Sequence, residues 1–247
     1  MSYMQHDRTA MIIITTIVLI VCAIVYMDKT TYNRIPRKIW TFLDRPSEEA
    51  TRCQRSWEQW NPGYEIVVLT RKNYKGYVTI PVDILMHPNF HDSATRFSEL
   101  VRLWVLAEHG GVWLDKVLLG APLDDWLFPR YAEGAFYEHE GRILPSMMAC
   151  NKGCVFMKAW RDEFSRMTAY ENVGAYVGVD KDIPYSMAVA AERALQTLPT
   201  EYSRETIVWC QATDGPYRYL VDAMWNSEKA AQLAMMASYQ QPCLIYL

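Results

Sequence analysis

The stretch FSELVRLWVLAEHGGVWLDKVLL, residues 97–119, constrains the fold of this chain more than any other part. Its first half carries apolar residues at helical spacing, which predicts a helix with one buried face. Ser98 is the predicted N-cap, because its hydroxyl can accept a hydrogen bond from a backbone N–H that the first turn leaves unpaired. Gly110 is expected to close the helix with a positive φ, and Gly111 to let the chain turn sharply behind it.

A short strand is expected after the two glycines, and it ends on a carboxylate. Val112, Trp113 and Leu114 form an apolar run that suits a buried strand, and Asp115 stands at its carboxyl end. Open α/β sheets bind ligands at the carboxyl ends of their strands. The stretch therefore predicts a helix, a glycine hinge and a strand that presents an acid to a ligand.

Two ionisable residues of the predicted helix share one of its faces. Glu99 and Arg102 are three positions apart, the spacing of neighbours on a helix surface. For an arbitrary helix, a surface ion pair of little energetic value is the simpler interpretation. Because this helix leads through the hinge to Asp115, the alternative is that the three side chains converge on one small polar ligand.

The chain before this stretch alternates between strand and helix. Ile39 to Phe42 is apolar and reads as a strand, Ser47 to Trp60 as a helix, and Tyr64 to Thr70 as a second buried strand. Such alternation is typical of a parallel sheet with crossover helices. The fold class expected from the residues is therefore α/β.

The sequence from Ser98 to Asp115 resembles the sugar-nucleotide site of the glycosyltransferase family 32 and capsular polysaccharide synthesis group. The shared pattern is Ser, acid, two apolar residues, Arg, an apolar run, Gly-Gly, aromatic, Leu and Asp. The resemblance extends from about Ile35 to about Trp160, with a weaker similarity at Thr213 to Pro216. It implies a GT-A fold with a mixed, mostly parallel sheet flanked by helices. It also implies retaining transfer of a sugar from a UDP- or GDP-sugar to a glycan or other hydroxyl acceptor.

The resemblance assigns roles to individual side chains of the donor site. Glu99 and Asp115 would hold sugar hydroxyls, and Arg102 would contact the sugar or the diphosphate, which makes these three the implied catalytic set. Trp40 and Thr41, in the first strand, would lie against the base. A core position explains Trp40 equally well.

Further residues are implied at the margins of the same site. The other donor-site positions are Ser98, Gly111 and Lys116. The resemblance implies that the region after residue 133 builds the acceptor side of the pocket, which makes Glu138 and Glu140 candidates there. Strand alternation puts these two acids on one face. A polar edge strand is the alternative interpretation of the same two acids.

The resemblance implies a Mn²⁺ or Mg²⁺ ion, and here the sequence departs from the family. The usual motif has two aspartates at i and i+2, whereas this chain has Asp115, Lys116 and Val117. Valine cannot bind a hard cation, and no histidine follows His139 to match the C-terminal metal ligand of the family. Three explanations stay open: a metal held by Asp115, few other protein groups and the diphosphate; Lys116 in place of the cation; or loss of catalysis. The last would leave an inactive, membrane-tethered scaffold that binds a glycan or a partner.

The N-terminal part predicts a membrane anchor. After a tail at residues 1–9, residues 10–27 carry no charge, and as a helix they would span about 27 Å, enough to cross a bilayer core. A polar tether at 28–34 then leads to one catalytic domain at 35–247. Lys29, Arg34, Arg37 and Lys38 follow the run and only Arg8 precedes it, which favours the cytosolic face. Eukaryotic relatives face the Golgi lumen, so the resemblance favours the opposite side.

Composition excludes some classes of partner. The chain has 25 Lys and Arg against 28 Asp and Glu, and its net charge of −3 gives no basic footprint for nucleic acid. Hydrophobic residues make up 51% and aromatic residues 13%, enough for a packed core. The six cysteines have no zinc-type spacing, and five of them lie outside the apolar run. Free thiols in a reducing compartment are therefore expected.

Overall fold

The structure is a computed structural model of the chain. It describes residues 16–19, 35–127, 133–139, 142–178, 186–202, 207–211, 218–220 and 243–246. The chain divides into two units, Met1–Arg34 and Ile35–Leu247. In the first unit the structure describes only residues 16–19, which are helical and exposed. The rest of the predicted anchor and the tether lie outside the described residues. Within the described part of the chain, no helix combines the length and hydropathy that a membrane crossing requires.

The second unit is built on a mixed sheet. The described strands are β1 Lys38–Phe42, β2 Glu65–Leu69, β3 Gly111–Leu114, β4 Val117–Leu119, β5 Gly134–His139, β6 Arg142–Cys150, β7 Ile207–Gln211, β8 Arg218–Leu220 and β9 Cys243–Tyr246. Six of them form one sheet in the order β2-β1-β3-β6-β5-β7, and β4, β9 and β8 form a smaller one. In the larger sheet β1 pairs in parallel with β2 and β3, β5 pairs in parallel with β7, and β6 runs antiparallel to β3 and β5. The predicted α/β architecture with a mixed sheet is confirmed.

Helices flank the larger sheet. Those described are α1 Glu48–Trp60, α2 Val82–Leu85, α3 Pro88–His91, α4 Ala94–His109, α5 Leu123–Leu127, α6 Val155–Ser165, α7 Val173–Val177 and α8 Ser186–Gln196, with short 3₁₀ segments at Tyr74–Gly76 and Arg166–Ala169. Helix α1 begins as predicted, with the Ser47 hydroxyl accepting from the Ala50 N–H at 3.1 Å. Helix α4 begins earlier than predicted. Its N-cap is Ser93, whose hydroxyl accepts from the Arg96 N–H at 3.3 Å, so Ser98 lies inside the helix and caps nothing.

The predicted glycine hinge joins α4 to β3. Gly110 has a φ of 66° and Gly111 a φ of 103°. Residues other than glycine rarely adopt these backbone conformations. A Cβ on Gly110 would lie 2.5 Å from the backbone nitrogen of Lys152, and a Cβ on Gly111 would lie 2.7 Å from the Lys38 carbonyl oxygen. Both positions therefore need glycine for backbone conformation and for space.

Two hydrophobic cores hold β1 and β3 from opposite faces of the sheet. Strand alternation directs Trp40 and Trp113 towards α4, α6 and α8, and directs Ile39 and Val112 towards α1. All four side chains are fully buried. The carboxyl ends of these two strands are thereby fixed relative to each other. Cys53, Cys150 and Cys154 are buried free thiols.

Candidate functional site

A cavity of about 310 Å³ opens at the carboxyl ends of β1 and β3. Helix α1 and the first turns of α4 form its other walls. The lining residues are Thr41, Phe42, Leu43, Asp44, Ala50, Gln54, Trp57, Ala94, Thr95, Ser98, Arg102, Asp115 and Lys116. The sheet edge predicted to bind a ligand therefore carries a cavity with both acidic and basic side chains.

Arg102 and Asp115 meet in this cavity, as the sequence predicted. The guanidinium Nη2 lies 2.6 Å from Oδ2 of Asp115, and the Trp113 indole donates to Oδ1 at 2.8 Å. The backbone N–H of Asp115 also donates to the Ser146 carbonyl oxygen at 2.9 Å. The carboxylate is held at both oxygens, yet 22% of the side chain is exposed, so lone pairs on the cavity side stay available to a ligand.

Arg102 is fixed on several sides although it carries a charge. Its side chain is 6% exposed, and Nη1 donates to the Pro145 carbonyl oxygen at 2.7 Å. The guanidinium also lies 4.8 Å from the centre of the Trp113 ring. Nε is buried and finds no hydrogen-bond partner among the described residues. A guanidinium held in place by packing and by a carboxylate suits recognition of hydroxyl or phosphate oxygens.

Glu99 lies close to this pair but does not line the cavity. The residue is 8% exposed. Burial raises the pKa of its carboxyl to about 7; the Arg102 charge opposes this shift and the Asp115 charge adds to it. The predicted grouping of Glu99, Arg102 and Asp115 therefore holds in space, with Glu99 behind the cavity wall.

Lys116 faces the cavity together with Asp115. The two residues form the bend between β3 and β4, so the alternation expected of a regular strand does not apply to them. The Lys116 Nζ lies 3.2 Å from Oε2 of Glu49, and the two side chains are 49% and 41% exposed. Ser98 and Thr41 also line the cavity, and their contact with a donor stays a prediction.

Two predicted donor-site residues lie elsewhere. Trp40 has no exposed surface and its indole donates to the Gly110 carbonyl oxygen at 2.8 Å, so its ring offers no face to a base and the core interpretation is the right one. Gly111 is buried below the cavity. It lets β3 approach Lys38 and Trp40 closely and does not line the cavity, so its predicted contact with the donor has no support in this structure.

The acceptor-side candidates are only partly described. Glu138 lies in β5, opposite Ile143 of β6 and Gln211 of β7, and is half-buried. It does not line the cavity. Glu140 and the segment from Thr213 to Pro216 lie outside the described residues.

The described residues do not fit a divalent cation well. Asp115 already contacts a guanidinium and an indole N–H, whereas Mn²⁺ and Mg²⁺ require several oxygen ligands. Val117 is fully buried and packs in the core beneath α1, so the position of the missing second carboxylate does not reach the cavity. Across the described ranges there is no group of three or more side chains able to hold a metal. The Mn²⁺ or Mg²⁺ ion remains a prediction.

Sequence reasoning missed several residues of the cavity wall. Asp44 follows β1 by two positions and accepts from the Arg71 N–H at 3.1 Å and from its Nε at 3.2 Å. The Arg71 guanidinium in turn lies 4.0 Å from the centre of the Phe97 ring. The rule that ligands bind at the carboxyl ends of strands would have singled out Asp44. Gln54 and Thr95, on helix faces, gave no such signal.

Fold and site together define a class of protein. A cavity at the carboxyl ends of parallel strands, lined by apolar side chains together with Asp44, Arg102, Asp115 and Lys116, is the arrangement of α/β proteins that bind a ligand at this edge. The chain belongs to the capsular polysaccharide synthesis protein family, whose model matches residues 23–181, more than half of the chain. The predicted relation to that group is confirmed.

The fold is also similar to that of a solved structure. The protein is similar to the solved structure of the PaToxG glycosyltransferase, with a TM-score of 0.50 and 14% sequence identity over 92% of this chain and 88% of that one. At this identity the likeness concerns the fold, which is GT-A-like. No curated protein matches the chain.

Proposed function

We propose that the protein is a glycosyltransferase that moves a sugar from a UDP- or GDP-sugar to a hydroxyl of a glycan or another acceptor. The observation that carries this proposal is the Arg102–Asp115 ion pair, held at 2.6 Å in the wall of the cavity. A buried guanidinium beside a partly exposed carboxylate can bind hydroxyls and phosphate oxygens at fixed positions. Membership of the family and the GT-A-like fold support the same conclusion.

Each side chain of the cavity takes a role in this proposal. Asp115 accepts a hydrogen bond from a sugar hydroxyl with its free lone pairs, and Arg102 orients the sugar or the diphosphate. Ser98 and Thr41 offer hydroxyls to the donor from two different walls. Glu99 acts from behind Arg102, because it is buried and outside the cavity lining.

The reaction proposed is transfer with retention. The bond between the anomeric carbon and the phosphate oxygen breaks, and its electron pair stays on that oxygen. A bond then forms between the anomeric carbon and the acceptor oxygen on the same face, and the departing phosphate takes the acceptor proton. This course needs no carboxylate base below the sugar, and the acids that line the cavity, Asp44 and Asp115, both have cationic partners.

The acceptor side and the setting of the enzyme are parts of the same proposal. Glu138 and Glu140 are proposed to bind acceptor hydroxyls. Residues 10–27 are proposed as a single membrane anchor with the catalytic domain on the cytosolic face. Protease protection of sealed membrane vesicles tests that orientation, since a cytosolic domain is digested without detergent and a lumenal one is not.

The activity is tested as donor hydrolysis, with water as the acceptor: the full chain is incubated with a panel of UDP- and GDP-sugars, and donor consumption and the initial anomeric configuration of the released sugar are followed by NMR. We expect turnover of one donor class and at least about a hundredfold loss in Asp115→Asn, because a positioned contact to the reacting sugar is removed. Lys75→Ala, an exposed change outside the cavity, is the matched control. Absence of turnover with every donor, or full activity of Asp115→Asn, would refute the proposal.

A second candidate function is favoured by the buried Val117, which leaves the usual carboxylate pair incomplete. In that case the chain is a catalytically inactive, membrane-tethered scaffold that binds a glycan or a partner. Calorimetric titration with UDP and with GDP, with and without Mn²⁺, separates the two candidates. Binding of either nucleotide supports the transferase, and no binding under any condition supports the scaffold.

A further inference from the structure

Both oxygens of the Asp115 carboxylate already accept hydrogen bonds, one of them from a cation. Its two carboxylate oxygens contact Arg102 Nη2 at 2.6 Å and Trp113 Nε1 at 2.8 Å. A divalent cation at the same oxygens would lie beside the buried Arg102 guanidinium, and like charges at that range repel. This carboxylate is therefore arranged to hold an arginine.

The position two residues further on cannot help to bind a metal. Val117 is fully buried, and its carbonyl oxygen accepts from the Trp57 indole at 2.7 Å. The side chain packs with Val112 and Leu114 in the core beneath α1. The side chain at position 117 therefore lies in the core and not in the cavity.

The residue between them carries a positive charge into the cavity. Lys116 lines it, and its ammonium is held by a half-exposed pair with Glu49 at 3.2 Å. Such an exposed pair contributes little free energy, and the flexible lysine stem lets the ammonium change partner. Ala94 and Thr95, in the first turn of the 16-residue helix α4, line the same cavity, which adds the positive end of that helix dipole.

We propose that Lys116 binds the diphosphate of the donor in place of a divalent cation, so that nucleotide binding to this protein does not require metal. This inference rests on the proposed function and specifies how the same site compensates charge. As the bond from the anomeric carbon to the phosphate oxygen breaks, the Lys116 ammonium stabilises the negative charge left on the diphosphate. On diphosphate binding, Lys116 leaves Glu49.

The test is calorimetric titration of the full chain with UDP and with GDP, in EDTA and in Mn²⁺. We expect the wild type to bind one nucleotide in EDTA, with less than about a threefold gain from Mn²⁺. Lys116→Ala should weaken binding about tenfold or more in EDTA, the loss of one charge-assisted contact, and Lys116→Arg should stay within about threefold of the wild type because the charge is kept. Lys75→Ala, which also removes one exposed lysine, should bind like the wild type.

Glu49→Gln should strengthen nucleotide binding, whereas Lys116→Ala should weaken it. Removing the competing carboxylate should tighten binding about twofold to threefold, and Lys116→Ala should abolish this gain. Binding that requires Mn²⁺ and ignores Lys116→Ala would overturn the inference and leave the proposed function standing. Failure of both nucleotides to bind under any condition would remove the proposed function and this inference together.

Discussion

The guanidinium of Arg102 lies 2.6 Å from the carboxylate of Asp115 and joins the middle of α4 to the carboxyl end of β3. The chain joins the same two elements through Gly110 and Gly111. Helix α4 and strand β3 are therefore connected at two places, by the glycine hinge and by the ion pair. The ion pair that presents a guanidinium and a carboxylate to the cavity therefore also stabilises the fold.

A substitution at Asp115 should reduce stability as well as activity. Asp115→Ala leaves a guanidinium that is only 6% exposed without its counter-ion, and we expect a loss of about 3 kcal/mol in the free energy of unfolding. Asp115→Asn keeps one acceptor oxygen, so we expect a loss of about 1.5 kcal/mol. Urea denaturation followed by circular dichroism measures both. Equal free energies of unfolding of Asp115→Ala and the wild type would contradict the prediction that the Arg102–Asp115 ion pair stabilises the fold.

Much of the site was predictable because its signals are local. The hinge needs two glycines in sequence, the strand needs a short apolar run, and Asp115 follows it directly. The start of α4 was predicted wrongly because Ser93 and Ser98 are both good caps, and only the extended backbone at Ser93 distinguishes them. The direction of Lys116 depends on where β3 ends, which local alternation does not specify.

The position of Trp40 could not be inferred from sequence. The Trp40 indole donates to Gly110, 70 positions away, and the ring packs between β1 and α4. No local sequence pattern encodes how close these two elements lie. A strand tryptophan near a ligand edge is compatible with either role. The difference is set by which face of the sheet the helix α4 covers.

Trp40→Phe separates the core role from the base-binding role. The change removes the buried hydrogen bond to the Gly110 carbonyl oxygen, and we expect a loss of about 2 kcal/mol in the free energy of unfolding. Affinity for UDP or GDP should stay within about twofold, because the ring does not line the cavity. Normal stability together with weakened nucleotide binding would contradict the buried position.

Restoring the usual carboxylate pair should fail. Val117→Asp puts an acid into a fully buried apolar site, and we expect a loss of at least about 3 kcal/mol without any new affinity for Mn²⁺. Val117→Ala, which removes packing without adding charge, is the control and should lose less. A stable Val117→Asp protein that binds Mn²⁺ would show that position 117 can reach the cavity.

Glu99 should make stability depend on pH. Its pKa is raised by burial from 4.5 to about 7, so the folded state binds the proton more tightly than the unfolded state. Both states are protonated below the unfolded pKa, and the cost of ionising Glu99 in the folded protein develops between the two values. The stability of Glu99→Gln relative to the wild type should therefore rise by about 2 kcal/mol from pH 5 to pH 8. Urea denaturation at the two pH values measures it, and a pH-independent difference would contradict the shift.

Photolabelling tests whether a nucleotide sugar binds in the cavity between α4 and the end of β3. The full chain is irradiated with azido-UDP-sugar or azido-GDP-sugar, with and without excess unlabelled donor, and the modified peptides are identified by mass spectrometry. We expect donor-protected labelling within residues 41–57 or 94–116, the segments that supply the cavity lining. Protected labelling confined to other parts of the chain, or no protected labelling with either nucleotide, would contradict it.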